Sequence, residues 1–284
     1  MTNQSTASSS MLDASQQARL RQRFNPDGSK LRRHQLLMLE MLKKIDRICR
    51  ENGIRYWLSS GTCIGALRHG GFIPWDDDVD IEMLEEDFVR LRDIMASYPA
   101  DDMAWQDAVT DRNYVQPFAK IRDVNTEISE DPFLDTTYRY RGVYIDVFAL
   151  RPSSSCLLYR MCCKIQGLFL YRAQYIRNDS LRRRVLGFSR MFVTNGIFRI
   201  LSAIGRIGHG NRYRHLPGTS YSKPRFLEDI ASTRLAKFED TLLPVPVNAE
   251  HYLEKIYGDY RSLPPLDSIH PHVSEVKWLS RTQE

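Results

Sequence analysis

Phe72-Ile73-Pro74-Trp75-Asp76-Asp77-Asp78-Val79-Asp80-Ile81-Glu82-Met83 places four carboxylates in the five positions 76 to 80 between apolar neighbours. Whether this stretch is an extended strand or a solvated acidic turn decides how the rest of the chain is read. If residues 73 to 83 are extended, side chains alternate, so Asp76, Asp78 and Asp80 share one face while Asp77, Val79 and Ile81 take the other. Neighbouring carboxylates on one face need a proton, an Arg or Lys, or a cation to offset them. The flanks are of a kind that proteins bury, and uncompensated burial costs several kcal/mol per charge. A hard divalent ion such as Mg²⁺ (or Mn²⁺) suits the pattern, because Mg²⁺ is held by one or two carboxylates and leaves its other positions to water and phosphate. Asp78-Val79-Asp80 has that shape.

The segment just upstream is of a different character. Ile54-Arg55-Tyr56-Trp57-Leu58 reads as a short strand, and Ser59-Ser60-Gly61-Thr62-Cys63-Ile64-Gly65-Ala66-Leu67-Arg68-His69-Gly70-Gly71 then opens with small residues into a helix-sized segment. A strand, a small-residue turn and a helix start present backbone N–H groups to an anion such as phosphate. Gly61 serves equally well in a plain tight turn. Further on, Tyr144-Ile145-Asp146-Val147-Phe148 is a β-branched and aromatic run with a single acid inside it. Such an acid is either paired structurally or acts as a ligand or base.

The run from Tyr56 to Met83 resembles the LicD family, which includes the fukutin-type proteins. Phe118-Ala119-Lys120-Ile121-Arg122-Asp123, Gly142-Val143-Tyr144-Ile145-Asp146-Val147-Phe148, and Tyr257-Gly258-Asp259-Tyr260 with Leu263-Pro264-Pro265 follow in the family's order. The resemblance covers residues 36 to 272 and is weakest between 151 and 250. It implies an α+β fold of nucleotidyltransferase, polymerase-β-like type: a mixed sheet flanked by helices, an Asp-x-Asp strand and a third acid on a neighbouring strand. It also implies transfer of a phosphorylated alcohol, phosphocholine-like, from a CDP-activated donor to a sugar hydroxyl of a cell-surface glycan. On that reading Asp78, Asp80 and Asp146 are catalytic and hold the metal, joined by Asp76, and Gly61, Thr62, Arg68, Lys120 and Arg122 bind the donor. The C-terminal signature would close the structure near the site, with His270 and His272 as further candidates. Two departures stand out. Position 60 is Ser where Gly is common, and position 82 is Glu where a small residue is common, so Glu82 either joins the site or points out as the strand ends.

At 284 residues with 42% hydrophobic content the chain can bury a sizeable core. Residues 1–30 read as a flexible tail, 31–150 as the catalytic core, and 151–284 as a basic helical lobe with a closing segment. The first ten residues are polar and Ser-rich, so no signal peptide is expected and the expected location is cytoplasmic, peripheral to the inner face of the membrane. Cys49, Cys63, Cys156, Cys162 and Cys163 form no C-x-x-C pair and fit reduced, mostly buried thiols. Met41, Leu42, Ile45, Ile48 and Cys49 recur at helical spacing up to a stop at Glu51-Asn52-Gly53, and a second amphipathic helix is expected over 85–97.

Charge is unevenly distributed. Residues 151–215 carry thirteen Lys or Arg, twelve of them Arg, against the single acid Asp179; the segment is +12 in a chain of net +5. Within it Leu181, Val185, Phe188 and Phe192 recur at i, i+4, i+7 and i+11. A basic amphipathic helix suits an anionic membrane surface and a lipid-linked glycan acceptor; packing of a basic lobe on an acidic core is the plainer reading. Arg190 and Arg199 interrupt the apolar run, so a membrane span is not expected. No nucleic-acid-binding motif is present. Two functions follow: a metal-dependent phosphotransferase, or a non-catalytic glycan-assembly partner docked at the membrane through the lobe. Loss of function on replacing Asp78 or Asp80 separates them.

Overall fold

A computed structural model of the chain describes residues 12–97, 102–128, 137–153, 156–176, 181–208, 210–219, 221, 223–269 and 275–279. In chain order these give α1 Ala14–Phe24, α2 Lys30–Glu51, β1 Tyr56–Leu58, α3 Ser60–Ile64 running into a π turn at Gly65–His69, β2 Asp80–Leu84, α4 Glu85–Ser97, β3 Met103–Gln106, β4 Ala119–Asp123 and β5 Thr126–Glu127. Next come β6 Tyr144–Pro152, α5 Cys156–Gln174, α6 Leu181–Phe192, a π turn at Val193–Ile197 and α7 Phe198–Gly205. The chain closes with β7 Arg212–His215, β8 Arg225–Phe226, α8 Leu227–Ile230, β9 Thr233–Phe238, β10 Thr241–Pro246, α9 Ala249–Tyr257 and β11 Lys277–Trp278.

Seven strands form one mixed sheet with the path β1-β2-β6-β4-β3, to which β7 adds on β6 and β8 on β7. β2 and β6 are parallel, with Asp80 opposite Asp146 and Glu82 opposite Phe148. β4 lies antiparallel on the other side of β6 with Lys120 opposite Asp146. The nine residues of β6 give it room for two partners on that side, β4 first and β7 beyond it. Buried Ile81, Met83, Ile145 and Val147 face away from these acids, as period-two alternation requires, and pack with Met38, Leu42 and Ile45 of α2 in the main core. The mixed α+β expectation therefore holds, and α4 has the expected bounds.

Three expectations need correction. The extended run does not begin at residue 73. Ile73 to Asp76 is a turn closed by Asp76 N–H to the Ile73 carbonyl (3.0 Å), and the strand starts only at Asp80. Pro74 has no N–H for a ladder, and crowded acids disfavour a regular strand. Residues 14–24 are a capped helix rather than a tail; Leu20 and Asn25 are buried, and the Phe24 ring meets Trp75 edge-on at 5.1 Å. Lastly, residues after 151 supply more than a lobe: β7 and β8 return to the main sheet, and Phe238, Leu243 and Tyr252 lie in the same core as β1 and β2.

Packing constraints concentrate at the entrance to β6. A Cβ on Gly142 would sit 1.8 Å from the Asp123 carbonyl oxygen, a backbone atom that cannot swing aside. Gly142→Ala is expected to lower stability by about 1–3 kcal/mol, the usual cost of overpacking, read by chemical denaturation. An unchanged midpoint would contradict the close approach.

Candidate functional site

β1 ends at Leu58, and Ser59 N–H donates to the Asp80 carbonyl at 3.0 Å, which ties the small-residue loop to the first residue of β2. Ser60 follows with φ +48°, left-handed backbone that costs a non-glycine residue on the order of 1 kcal/mol or more. That conformation explains physically why glycine suits position 60. Gly61 comes next, and a Cβ there would lie 3.0 Å from Asp76 Oδ2, so the bare backbone leaves the Asp76 carboxylate its place. The Thr62 hydroxyl accepts from Asp80 N–H at 2.9 Å, holding α3 against the strand.

The acids occupy the mouth of this loop in series. Asp80 and Asp146 are side by side on parallel strands and point to one face. Lys120 completes the row, its Nζ 2.9 Å from Asp146 Oδ1 and 3.0 Å from the centre of the Tyr144 ring. Burial, then Asp78 and Asp146, push the Asp80 carboxyl well above the usual carboxylate range. Burial, then Asp78 and Asp77, do the same to Asp76. These are acids held close together against their own repulsion, and their hard oxygen donors match what a divalent cation takes. No three of the four aspartates bring oxygens within 4.8 Å of one another; among the described residues the group gathered that closely is Glu228, Asp229 and His251. Asp78 and Asp146 both lie close enough to Asp80 to raise its carboxyl, and Lys120 pairs with Asp146.

Arg68 and Arg122, expected at the donor, both make hydrogen bonds within the chain. Arg68 Nη1 donates to the Tyr260 and Ser262 carbonyls at 2.7 and 3.0 Å, and its Nε donates to His69 Nε2 at 2.9 Å. Nδ1 of His69 then carries the proton and donates to Gln17 Oε1 at 2.7 Å. Burial and the adjacent guanidinium push this imidazole down to about 3, so it stays neutral. Helix α1, the loop and the C-terminal segment are joined at that point, and Arg68 also attracts Asp76 electrostatically. Arg122 Nε donates to Gln106 Oε1 (3.0 Å) and Nη1 to the Gly142 carbonyl (2.9 Å), locking β3, β4 and the start of β6.

Glu82 neither joins the metal-type site nor points out. It is fully buried and accepts from Trp57 Nε1 (3.2 Å), the Tyr252 hydroxyl (2.9 Å), His215 Nε2 (2.8 Å) and Arg225 Nη2 (2.5 Å). Burial raises its carboxyl, but Arg225 and His215 outweigh burial and hold it far below the ordinary range. One carboxylate thereby gathers β1, β7, β8 and α9 two residues along β2 from Asp80, on the same face.

Two tyrosines near the acids were not singled out from the sequence. Tyr221 and Tyr257 are both part-exposed, and each phenol is pushed up by burial and then, among its neighbours, by Asp80. Ser60 lowers the Tyr257 phenol and Asp80 raises it, so the start of the C-terminal signature lies near the small-residue loop. The sequence signal for Tyr257 was the Tyr257-Gly258-Asp259-Tyr260 run; Tyr221 had none. His270 and His272 lie outside the described residues. Cys49, Cys63 and Cys162 are buried free thiols, whereas Cys156 is exposed.

Residues 53–176 match the model of the LicD/FKTN/FKRP nucleotidyltransferase domain. The chain is 27% identical over 261 residues to the lipopolysaccharide cholinephosphotransferase LicD of Haemophilus influenzae, covering 85% of this chain and 95% of that protein. It is 44% identical over 62 residues to the human ribitol 5-phosphate transferase FKRP, 20% of this chain and 12% of that protein. The mouse ribitol-5-phosphate transferase FKTN is 39% identical over 49 residues, 17% of this chain and 11% of the relative.

Proposed function

Since the chain belongs to the LicD family, we propose that it is a glycan phosphotransferase that moves a phosphorylated alcohol, phosphocholine-like, from a CDP-activated donor to a sugar hydroxyl. The observation that carries this reading is the register of Asp80 opposite Asp146 with Lys120 as the next residue in the row. Phosphoryl transfer needs positioning and charge compensation more than covalent chemistry. Bound at Asp78 and Asp80, Mg²⁺ or Mn²⁺ would neutralise charge developing on the donor phosphates.

The chain's own groups divide the remaining work. Gly61 and Thr62 line the donor phosphates with backbone N–H groups. Asp146 accepts the proton of the attacking sugar hydroxyl, and Lys120, 2.9 Å from Asp146 Oδ1, orients it for that task. Tyr257 and Tyr221 flank the entry, where part-exposed phenols can meet donor or acceptor hydroxyls. Arg68 and Arg122 act as positioning residues for the loop and for β4. A polymerase-β-like ancestry of the sheet is part of the same proposal.

Calorimetric titration of the full chain with CDP-choline, CDP-ribitol, CDP-glycerol and CTP, in Mg²⁺ and in EDTA, tests this directly. One CDP-alcohol should bind in Mg²⁺ alone. Absence of nucleotide binding under every condition would replace this function with that of a non-catalytic partner in glycan assembly.

A further inference from the structure

Helices α6 and α7 are joined by the π turn at Val193–Ile197. At about 100° per residue, Leu181, Val185, Phe188 and Phe192 fall within roughly 60° of one another. Continued without interruption, the same rotation would set Ile200, Ile204 and Ile207 roughly 100° away from that line. The π turn takes one extra residue and retards the phase by about 100°, which brings the three isoleucines back onto it. Exposure follows this corrected phase: Phe188 is 67% exposed, Ile200 64% and Ile207 76%. The residues on the opposite side, Arg190, Phe198, Ser202 and Gly205, are buried against the rest of the fold.

A straight helix would have split this stripe into two, with Arg199 in the middle of the first line. With the π turn, Arg182 lies on one flank and Arg199 and Arg206 on the other, roughly 100° from the centre; all three are exposed. An apolar stripe about 40 Å long, edged by guanidinium groups, is the form of a helix that lies in the plane of a lipid interface. No helix among the described residues is long and apolar enough to cross a membrane. A second copy of the chain would set one +12 lobe with a single acid against another, which like-charge repulsion opposes. Nucleic acid offers nothing to the aliphatic centre.

We infer that the α6–π–α7 face is an in-plane docking surface for an anionic lipid bilayer, made continuous by the π turn. This goes beyond the transfer reaction and does not depend on which donor is used.

Flotation of the full chain with phosphatidylcholine vesicles, with and without about 30 mol% phosphatidylglycerol, tests it. Binding should rise roughly tenfold or more with the anionic lipid and fall again at high salt. Phe188→Glu with Phe192→Glu should remove it without moving the thermal midpoint, since both side chains are exposed. In a second arm, Phe188→Trp should be quenched by bromolipid above the wild-type background. A wild type that stays off anionic vesicles, a double variant that binds as well, or no added quenching would overturn the proposal. So would a wild-type dimer that the double variant dissociates, which would make the stripe a contact between copies.

Discussion

Asp80→Asn is expected to abolish transfer, by on the order of 10³-fold or more in kcat, about 4 kcal/mol of transition-state stabilisation at 1.36 kcal/mol per decade, while leaving the protein at least as stable as wild type. Both halves come from one cause. Asp80 is buried beside Asp78 and Asp146, and burial with like charges already pushes its carboxyl towards the neutral form. The amide keeps the shape and removes a repelling charge, so the metal-free fold loses a cost and the site loses its grip. Mg²⁺ should raise the melting temperature of the wild type and leave the variant unmoved. An Asp80→Asn protein that melts earlier and retains transfer would show that the acid is structural.

Glu82→Gln is the complementary case, in which stability falls steeply. The amide fills the same space but leaves the Arg225 guanidinium, 1% exposed, without its counter-charge. Removing one partner of a buried pair costs about 3–5 kcal/mol, which for a chain of this size is a fall of roughly 10 °C in the melting temperature. Glu82→Leu with Arg225→Met should recover much of the loss, because replacing both partners removes the uncompensated charge. The sign with pH is fixed too. A carboxyl depressed by its partners contributes stability above the ordinary glutamate pKa and loses it only as pH falls towards the folded value, so the cluster persists through mild acid. A single variant within about 1 kcal/mol of wild type would remove Glu82 from the account.

What could be read from residues alone was local in origin. The bounds of α4, the stop of α2 at Asn52-Gly53, the Asp-x-Asp pair and the acid inside β6 all follow from spacing and from composition over a few residues. Asp76 showed the limit of that reading. Its strand was expected to place it by alternation; a turn over Ile73–Asp76 brings it beside Asp78 instead. The partners of Arg68 and Arg122 within the chain were not legible either, because an arginine's partners are not adjacent to it; Tyr260, Ser262, Gln106 and Gly142 become visible only in the fold. Glu82 was noticed as unusual, but its four partners come from β1, β7, β8 and α9, as distant as 170 positions along the chain. Helix α1 was missed because Asp13 and Gln16, which cap it reciprocally, stand in polar sequence with few apolar residues to set a period.

The parallel pairing of β2 with β6 also bears on how the protein comes to be folded. Asp80 and Asp146 are far apart in the growing chain and meet only when this long-range pairing forms, so their mutual repulsion is absent from the unfolded ensemble and acts wholly on the native state. On the proposed function, a cation held at Asp78 and Asp80 would gain Asp146 as a neighbour only in the native sheet, and would to that extent favour folded over unfolded molecules by mass action. If that proposal holds, magnesium present during synthesis raises the yield of soluble protein and a chelating purification buffer shortens its shelf life; equal yields with and without magnesium would count against the cation.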